Sequence, residues 1–270
     1  MQSAHNTSKR SFIKMQGLQN HFVIVDGREK PYHPAKDDII RICDGHIGIG
    51  ADQLVVIEPS EVADAFMRLY NVDGQEAQTC GNATRCVAGL LMETTGKASI
   101  TLETVVGLLH CERTDSMHIR CDLGQIQPHR DADLLASISE GPLNNGFAVD
   151  LGNPHIVFFV ADPQTIQLER LAPKIQRNRY FPESVNVGVA SITSRTGLTL
   201  KVYERGAGLT MACGSGASAA VFAAQAQLLL KRKAPCTVKM PGGSVEIEIS
   251  EDQRAIMTGP FAYCFEGTLP

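Results

Sequence analysis

The sequence predicts an α+β protein of two pseudo-symmetric domains, each a mostly antiparallel, barrel-like sheet around a central helix. Two observations support this prediction. The segment that begins at Met67, MRLYNVDGQEAQTCGNATRCVA, recurs from Leu200 as LKVYERGAGLTMACGSGASAAV, at a constant offset of 133 residues. In each half, short β-branched and aromatic runs accompany one segment with helical spacing. We interpret the chain as an internal duplication.

The offset also holds far from the two segments that define it. Polar residues and cysteines coincide when the halves are superposed: Asn20 with Asn153, Gln53 with Asn186, Asn71 with Glu204, and Cys80 with Cys213. We therefore predict a flexible N-terminal tail over residues 1–10, a first domain over 11–128 and a second domain over 140–258. The segment 259–270 is expected to pack back on the first domain.

The predicted elements agree between the halves. Residues 22–25 and 156–160 are predicted strands, because they are short, β-branched and aromatic. Residues 80–93 and 214–230 are predicted helices, and the second is apolar nearly all round, which indicates burial. The polar segment 131–145 contains Gly and Pro and is predicted to be the linker.

Composition limits the function. The chain has 270 residues, 43% hydrophobic and 20% charged, and a mean hydropathy of −0.06, which exclude a disordered or fibrous chain. A net charge of −4 argues against nucleic acid or an anionic membrane as partner. The first ten residues lack the apolar core of a secretory signal, and no apolar stretch is long enough to cross a membrane. We expect a cytoplasmic protein.

Two of the eight cysteines stand out. The chain has no CxxC pair, so a zinc ribbon or a thioredoxin-like motif is unsupported. Cys80 and Cys213 coincide under the repeat, and each precedes a glycine where a helix is predicted to begin. A helix N-terminus lowers the pKa of a thiol and binds anions. The other cysteines are expected to be packing residues.

Two duplicated thiols favour one reaction class. If the halves are related by a pseudo-twofold axis, both helix starts can face one cleft between the domains. One thiol could then remove a proton from one face of a stereocentre while the other returns a proton to the opposite face. A buried structural cysteine remains the alternative for either residue alone. A Cys/His hydrolase needs one nucleophile and a histidine base such as His155, and gives no reason for a second cysteine.

Several motifs resemble those of the diaminopimelate epimerase family. They lie in the family's order between Lys14 and Pro260 and read KMQGLQNHFVIVD, GIGADQL, YNVDGQEAQTCGNATRC, LGNPHIVFFV, RYFPESVNVG, YERGAGLTMACGSGASA, MPGGSVEIEI and MTGP. Three motifs depart from the common pattern. Gln19 and His21 stand in GLQNH where many members have GLGND, Ala83-Thr84 stands where Gly-Ala is common, and Leu209 stands where many have glutamate.

The resemblance implies a role for each matching residue. Cys80 and Cys213 are implied to be the acid/base pair. The remaining implied substrate-binding residues are Gly81, Asn82, Gly214 and Ser215 for the carboxylate at the reacting carbon, and Asn20, Gln53, Asn71, Asn153, Asn186, Glu204 and Arg205 for the rest of the substrate. Arg205 can bind a distal carboxylate with two parallel hydrogen bonds. His155 and Glu204 are implied to tune the thiols, because a protonated imidazole favours a thiolate and a carboxylate disfavours it.

The resemblance also implies the reaction. It predicts interconversion of the LL and meso isomers of diaminopimelate, a diamino dicarboxylic acid, by a homodimer in lysine and peptidoglycan-precursor synthesis. No cofactor and no metal are expected, and pyridoxal phosphate is not implied because two opposed bases can transfer the proton. Two alternatives stay open: a proline- or hydroxyproline-type racemase or epimerase, and a non-catalytic anion-binding module.

Overall fold

A computed structural model describes residues 10–78 and 80–269 of the chain. The predicted flexible tail therefore lies, except for Arg10, outside the described residues. The chain divides into two compact units. Unit 1 contains the residues up to His110 together with those from Phe261 onwards, and unit 2 contains Cys111–Pro260.

The first half of the chain has strands on either side of two helices. In chain order its elements are β1 (Ser11–Gly17), β2 (Asn20–Asp26), α1 (Lys36–Cys43), β3 (Gln53–Glu58), β4 (Ala65–Asn71), β5 (Glu76–Ala77), α2 (Gly81–Thr95), β6 (Ser99–Thr104), β7 (Gly107–Arg113), β8 (His118–Gln125) and β9 (Gln127–Pro128).

The second half continues with the same kinds of element. They are α3 (Ala132–Leu135), β10 (Phe147–Asp150), β11 (Pro154–Phe159), α4 (Leu168–Gln176), β12 (Asn186–Ser194), β13 (Gly197–Glu204), β14 (Gly208–Thr210), α5 (Gly214–Ala226), β15 (Cys236–Met240), β16 (Gly243–Ile249), β17 (Arg254–Pro260) and β18 (Ala262–Thr268). A 3₁₀ turn, Pro163–Thr165, precedes α4.

The two units repeat one pairing scheme. In unit 1, β2 is parallel to β3, β3 is antiparallel to β4, and β4 pairs with antiparallel β5 and parallel β6. In unit 2, β11, β12, β13, β14 and β15 repeat the same order and directions. The pairs β1–β2, β1–β18, β8–β17, β15–β16 and β16–β17 are all antiparallel. The predicted α+β class and the mostly antiparallel duplicated sheet are confirmed.

The helix of unit 2 is buried because it presents small apolar side chains on every side. Helix α5 contacts β10, β11, β12, β13, β15, β16 and β17, and Ala217, Ala220 and Ala224 have no exposed surface. Because alanine side chains are small, the surrounding strands can pack closely against the helix. The helix ends at Ala226 rather than at residue 230, because Leu228 adopts a left-handed conformation with φ of 61°.

Contacts divide the chain after His110, because β8, which lies within the predicted first domain, pairs with β17. The segment 131–145 belongs to unit 2, and its apolar residues Leu135, Ile138 and Leu143 lie in the core of that unit. The domain boundaries at residues 128 and 140 stay a prediction.

Among the described residues, none of the helices has the length and apolar character that crossing a membrane would require.

Candidate active site

Cys80 and Cys213 each cap a helix. Cys80 precedes α2 with φ of −150° and Cys213 precedes α5 with φ of −135°, both in extended backbone. Their carbonyl oxygens accept the first helical hydrogen bonds, from the N–H of Thr84 and of Ala217, each at 2.9 Å. Each thiol therefore lies at the positive end of a helix dipole, where a thiolate or a carboxylate is stabilised.

Two of the predicted residues, Asn20 and Asn82, lie beside Cys80. The Cys80 thiol donates to Asn20 Oδ1 at 3.6 Å, and Asn82 Nδ2 donates to the same oxygen at 3.1 Å. Asn20 is held there by a two-residue turn, Leu18 and Gln19, which both have positive φ and join β1 to β2. Gln19 therefore keeps the left-handed conformation in which glycine is common, and the departure from the family pattern leaves Asn20 in place.

Gln53 and Asn71 form a second pair in unit 1. They are cross-strand partners on β3 and β4, and Gln53 Nε2 donates to Asn71 Oδ1 at 3.0 Å. Within residues 10–78 and 80–269, the buried Gln53 Oε1 has no hydrogen-bond partner. An unpaired buried acceptor is costly, and an N–H donor such as a substrate ammonium group could satisfy it.

Cys213 is more enclosed than Cys80. Its side chain is buried, and its sulfur accepts from the N–H of Gly216 at 3.4 Å and lies 3.5 Å from Ser215 Oγ. Burial and the neighbouring Glu204 carboxylate raise the pKa of the Cys213 thiol well above its usual range. Burial also raises the pKa of Glu204, against the hydrogen bonds from Thr210, at 2.5 Å, and from Cys213. These surroundings therefore favour the protonated form of the Cys213 thiol.

Glu204→Gln is expected to increase the alkylation rate of Cys213 about tenfold at pH 8, because removing a carboxylate beside a thiol favours the thiolate. The rate is measured by quantitative mass spectrometry of the Cys213 peptide after iodoacetamide pulses. The matched control is Glu169→Gln on the exposed face of α4, which should leave the rate unchanged. Equal rates in both variants would show that Glu204 does not hold the proton on Cys213.

His155 lies between two of the predicted amides in unit 2. Its Nε2 is 3.1 Å from Asn153 Oδ1 and 3.4 Å from Asn186 Nδ2. Burial and the Arg205 charge lower the pKa of His155 to about 3. The imidazole is therefore neutral at pH 7, so it offers a thiolate no positive charge. Burial and a neighbouring guanidinium both favour the neutral ring, so the implied tuning of the thiols by His155 stays a prediction.

Arg205 is anchored at two points. Its backbone N–H donates to Asn186 Oδ1 at 2.9 Å, and its Nη1 donates to the Glu183 carbonyl at 3.0 Å. About a third of the side chain, 34%, remains exposed. The guanidinium keeps further N–H groups that can bind a carboxylate with two parallel hydrogen bonds.

Gly216 is required by the close packing of Cys213. A Cβ at this position would lie 2.9 Å from Val202 Cγ2 and 3.3 Å from the Cys213 sulfur. We expect Gly216→Ala to destabilise the protein by about 1–3 kcal/mol in urea denaturation. The control is Gly45→Ala, where an added Cβ meets nothing within 4 Å. Unchanged stability in both variants would contradict this packing argument.

The structure adds residues that sequence reasoning missed. Asp52 accepts hydrogen bonds from Asn20, Arg85 donates to Asn82, and Thr210 donates to Glu204. Arg85 carried a signal that could have found it, because it is a single charge in the first turns of a helix that is otherwise apolar or small. Within the part of the chain that the structure describes, no group of three or more His, Cys, Asp or Glu could hold a metal ion.

Solved structures share this fold. A hydroxyproline epimerase from Agrobacterium vitis matches with a TM-score of 0.73 at 13% identity, covering 97% of this chain and 91% of that one. A phenazine biosynthesis protein of the PhzF family from Bacillus anthracis matches with a TM-score of 0.69 at 16% identity, covering 98% and 100%. The fold therefore belongs to the class that contains epimerases, racemases and PhzF proteins.

Sequence relatives define the family within this class. The profile described as diaminopimelate epimerase matches residues 12–128 and 147–264. The diaminopimelate epimerase of Acidiphilium cryptum is 42% identical, covering 96% of both chains, and that of Phenylobacterium zucineum is 40% identical, covering 97% of this chain and 98% of its own. The chain belongs to the diaminopimelate epimerase family, and it is an isomerase.

Proposed function

We propose that the protein interconverts LL- and meso-diaminopimelate by proton transfer between two cysteines, Cys80 and Cys213. Family membership supports the substrate. The observation that carries the mechanism is the repeated cap, in which a cysteine thiol stands at the start of α2 and again at the start of α5. A single catalytic nucleophile would need only one such position.

The chemistry follows from the groups beside each thiol. The N–H groups at the two helix starts, at Gly81-Asn82 and Gly214-Ser215, can bind the carboxylate next to the reacting carbon. They stabilise the negative charge that develops there when the α-proton leaves. One cysteine acts as thiolate base and the other as thiol acid, and their roles exchange in the reverse direction. The mechanism requires both thiols to reach the same carbon from opposite faces.

Polar groups that differ in charge and in hydrogen-bonding role are available for the part of the substrate away from the reacting carbon. Gln53 Oε1 is an open acceptor, and Arg205 offers a guanidinium for the distal carboxylate. Asn153 Oδ1 lies 3.1 Å from Nε2 of the neutral His155, and Asn186 Oδ1 accepts from the backbone N–H of Arg205. The duplicated position that differs most between the halves is Asn71 and Glu204, which suits a site that treats the reacting end and the distal end of the diamino diacid differently.

Proton NMR in D2O tests the function. Purified, reduced protein free of metal and pyridoxal phosphate is mixed with LL-diaminopimelate. We expect deuterium at one α-carbon as the meso isomer forms. Exchange with proline or hydroxyproline instead would replace the substrate and keep the mechanism. No exchange with any amino acid, from folded protein with titratable thiols, would contradict the proposal and favour a binding module.

A further inference from the structure

Two ionised side chains lie at the ends of the amide pair beside Cys80. Arg85 Nη2 donates to Asn82 Oδ1 at 2.8 Å, Asn82 Nδ2 donates to Asn20 Oδ1 at 3.1 Å, and Asn20 Nδ2 donates to Asp52 Oδ2 at 2.9 Å. The Cys80 thiol joins this chain at Asn20 Oδ1, 3.6 Å away. We call the four side chains Arg85, Asn82, Asn20 and Asp52 the relay.

The two ends give the relay one direction. A guanidinium can only donate hydrogen bonds and a carboxylate can only accept them, whereas a carboxamide can do either with one end or the other. Arg85 therefore fixes the oxygen of Asn82 towards itself, and Asp52 fixes the nitrogen of Asn20 towards itself. Each amide has a single orientation that satisfies both neighbours.

The orientation of the Asn20 amide decides which of its two polar groups contacts the Cys80 sulfur. The carbonyl oxygen of Asn20, rather than its NH2 group, faces the sulfur. An oxygen acceptor can be satisfied by an S–H group but repels a thiolate. The neighbouring α2 dipole favours the thiolate, so the relay and the helix dipole have opposite effects on the pKa of Cys80.

The packing around Arg85 supports a dedicated role. Its side chain is fully buried, which is costly for a charge unless its hydrogen bonds are made. It also donates towards the Gly81 carbonyl at 3.4 Å. A Cβ on Gly17 would lie 3.2 Å from Arg85 Nη2, so a glycine at the end of β1 leaves the space that the guanidinium occupies.

We propose that Arg85 and Asp52 are positioning residues that fix the direction of the relay and thereby favour the protonated form of the Cys80 thiol. Its catalytic consequence rests on the proposed function: with both thiols protonated, one of them must lose its proton when substrate binds before it can act as the base. The relay involves no substrate atom. It can therefore be measured without turnover.

The test compares Asp52→Ala with Asp52→Asn. Alanine removes one of the two partners that orient the Asn20 amide and leaves only the hydrogen bond from Asn82 Nδ2, so the amide presents its NH2 group to the sulfur more often. Asparagine keeps a carbonyl oxygen that can accept from Asn20 and from the His21 N–H, which Asp52 also binds, at 2.6 Å. We expect the alkylation rate of Cys80 at pH 7 to rise about three- to tenfold in Asp52→Ala and to stay within about twofold of the wild type in Asp52→Asn.

A second pair of variants tests the other end. Arg85→Met removes the donor, and Arg85→Lys restores a group that can only donate. We expect Arg85→Met to raise the alkylation rate of Cys80, as Asp52→Ala does. Arg85→Lys should reverse part of that rise. Thermal melting identifies any variant that does not fold. Asp52 is exposed, so the Asp52 pair remains informative if the buried Arg85 variants unfold.

Asp64→Ala is the matched control. Asp64 pairs with Lys97 in the same unit and should leave Cys80 reactivity unchanged. Equal alkylation of Cys80 in Asp52→Ala, Asp64→Ala and the wild type would overturn the proposal, and so would a rise in Asp52→Asn as large as in Asp52→Ala. The alkylation rates of Cys80 are measured without substrate, so they test the relay separately from the proposed function. Wild-type protein without epimerase activity but with a responsive Cys80 would contradict the proposed function alone.

Discussion

Cys80→Ser and Cys213→Ser are each expected to lower kcat for conversion of LL- to meso-diaminopimelate by about 100- to 10,000-fold, the range that a positioned acid or base contributes. Serine keeps the size and the hydrogen bonding of cysteine, but a hydroxyl is a much weaker acid than a thiol. At Cys213 the effect should be severe, since burial and Glu204 already disfavour the deprotonated form. Coupled detection of the meso product measures the rate.

The control for both serine variants is Cys264→Ser. Cys264 is exposed on β18, although a place in the core was expected, and its loss should leave kcat unchanged. Far-UV and near-UV circular dichroism establish that each variant is folded. Wild-type kcat in either Cys80→Ser or Cys213→Ser would exclude that residue from proton transfer and leave the two-base mechanism without support.

Arg205→Met is expected to lower kcat/KM for diaminopimelate by about 30- to 1,000-fold, because it removes a charge-assisted, two-point contact to a carboxylate worth about 2–4 kcal/mol. Methionine keeps the length of the aliphatic stem. The backbone N–H that donates to Asn186 Oδ1 is unaffected, so the change isolates the guanidinium. Initial rates over a range of substrate concentrations separate KM from kcat.

Arg195→Met is the matched control for Arg205→Met. Arg195 is exposed in the turn between β12 and β13 and should tolerate the same change without loss. A loss confined to Arg205→Met would support a role in reading the distal carboxylate. If Arg205→Met instead retains wild-type kcat/KM while its folding is intact, another group binds that carboxylate.

The predictable part of the molecule is the part that repeats. The offset of 133 residues carries Gln53 at the start of β3 onto Asn186 at the start of β12, and Gly81 at the start of α2 onto Gly214 at the start of α5. Helix starts and strand ends are defined by local sequence. A functional residue at such a boundary can therefore be found from the pattern alone, and family resemblance then assigns it a role.

The missed features depend on contacts between distant segments. Asp52 meets Asn20 because β2 and β3 are parallel neighbours, and Phe22 pairs with Gln53. No local signal connects residues 20 and 52. The low pKa of His155 has the same kind of origin, because its burial and its distance from Arg205 arise only when β11, β12 and the end of β13 come together.

The pairing of β1 with β18 has a consequence for how the chain is made. Ser11 pairs with Thr268, so unit 2 is a continuous segment that interrupts unit 1. Domains generally fold as units while the ribosome synthesises them from the N-terminus. All strands of unit 2 leave the ribosome before β18 does. We therefore expect the sheet of unit 1 to be completed only after unit 2 has been synthesised, because one edge of β1 stays unpaired until β18 follows.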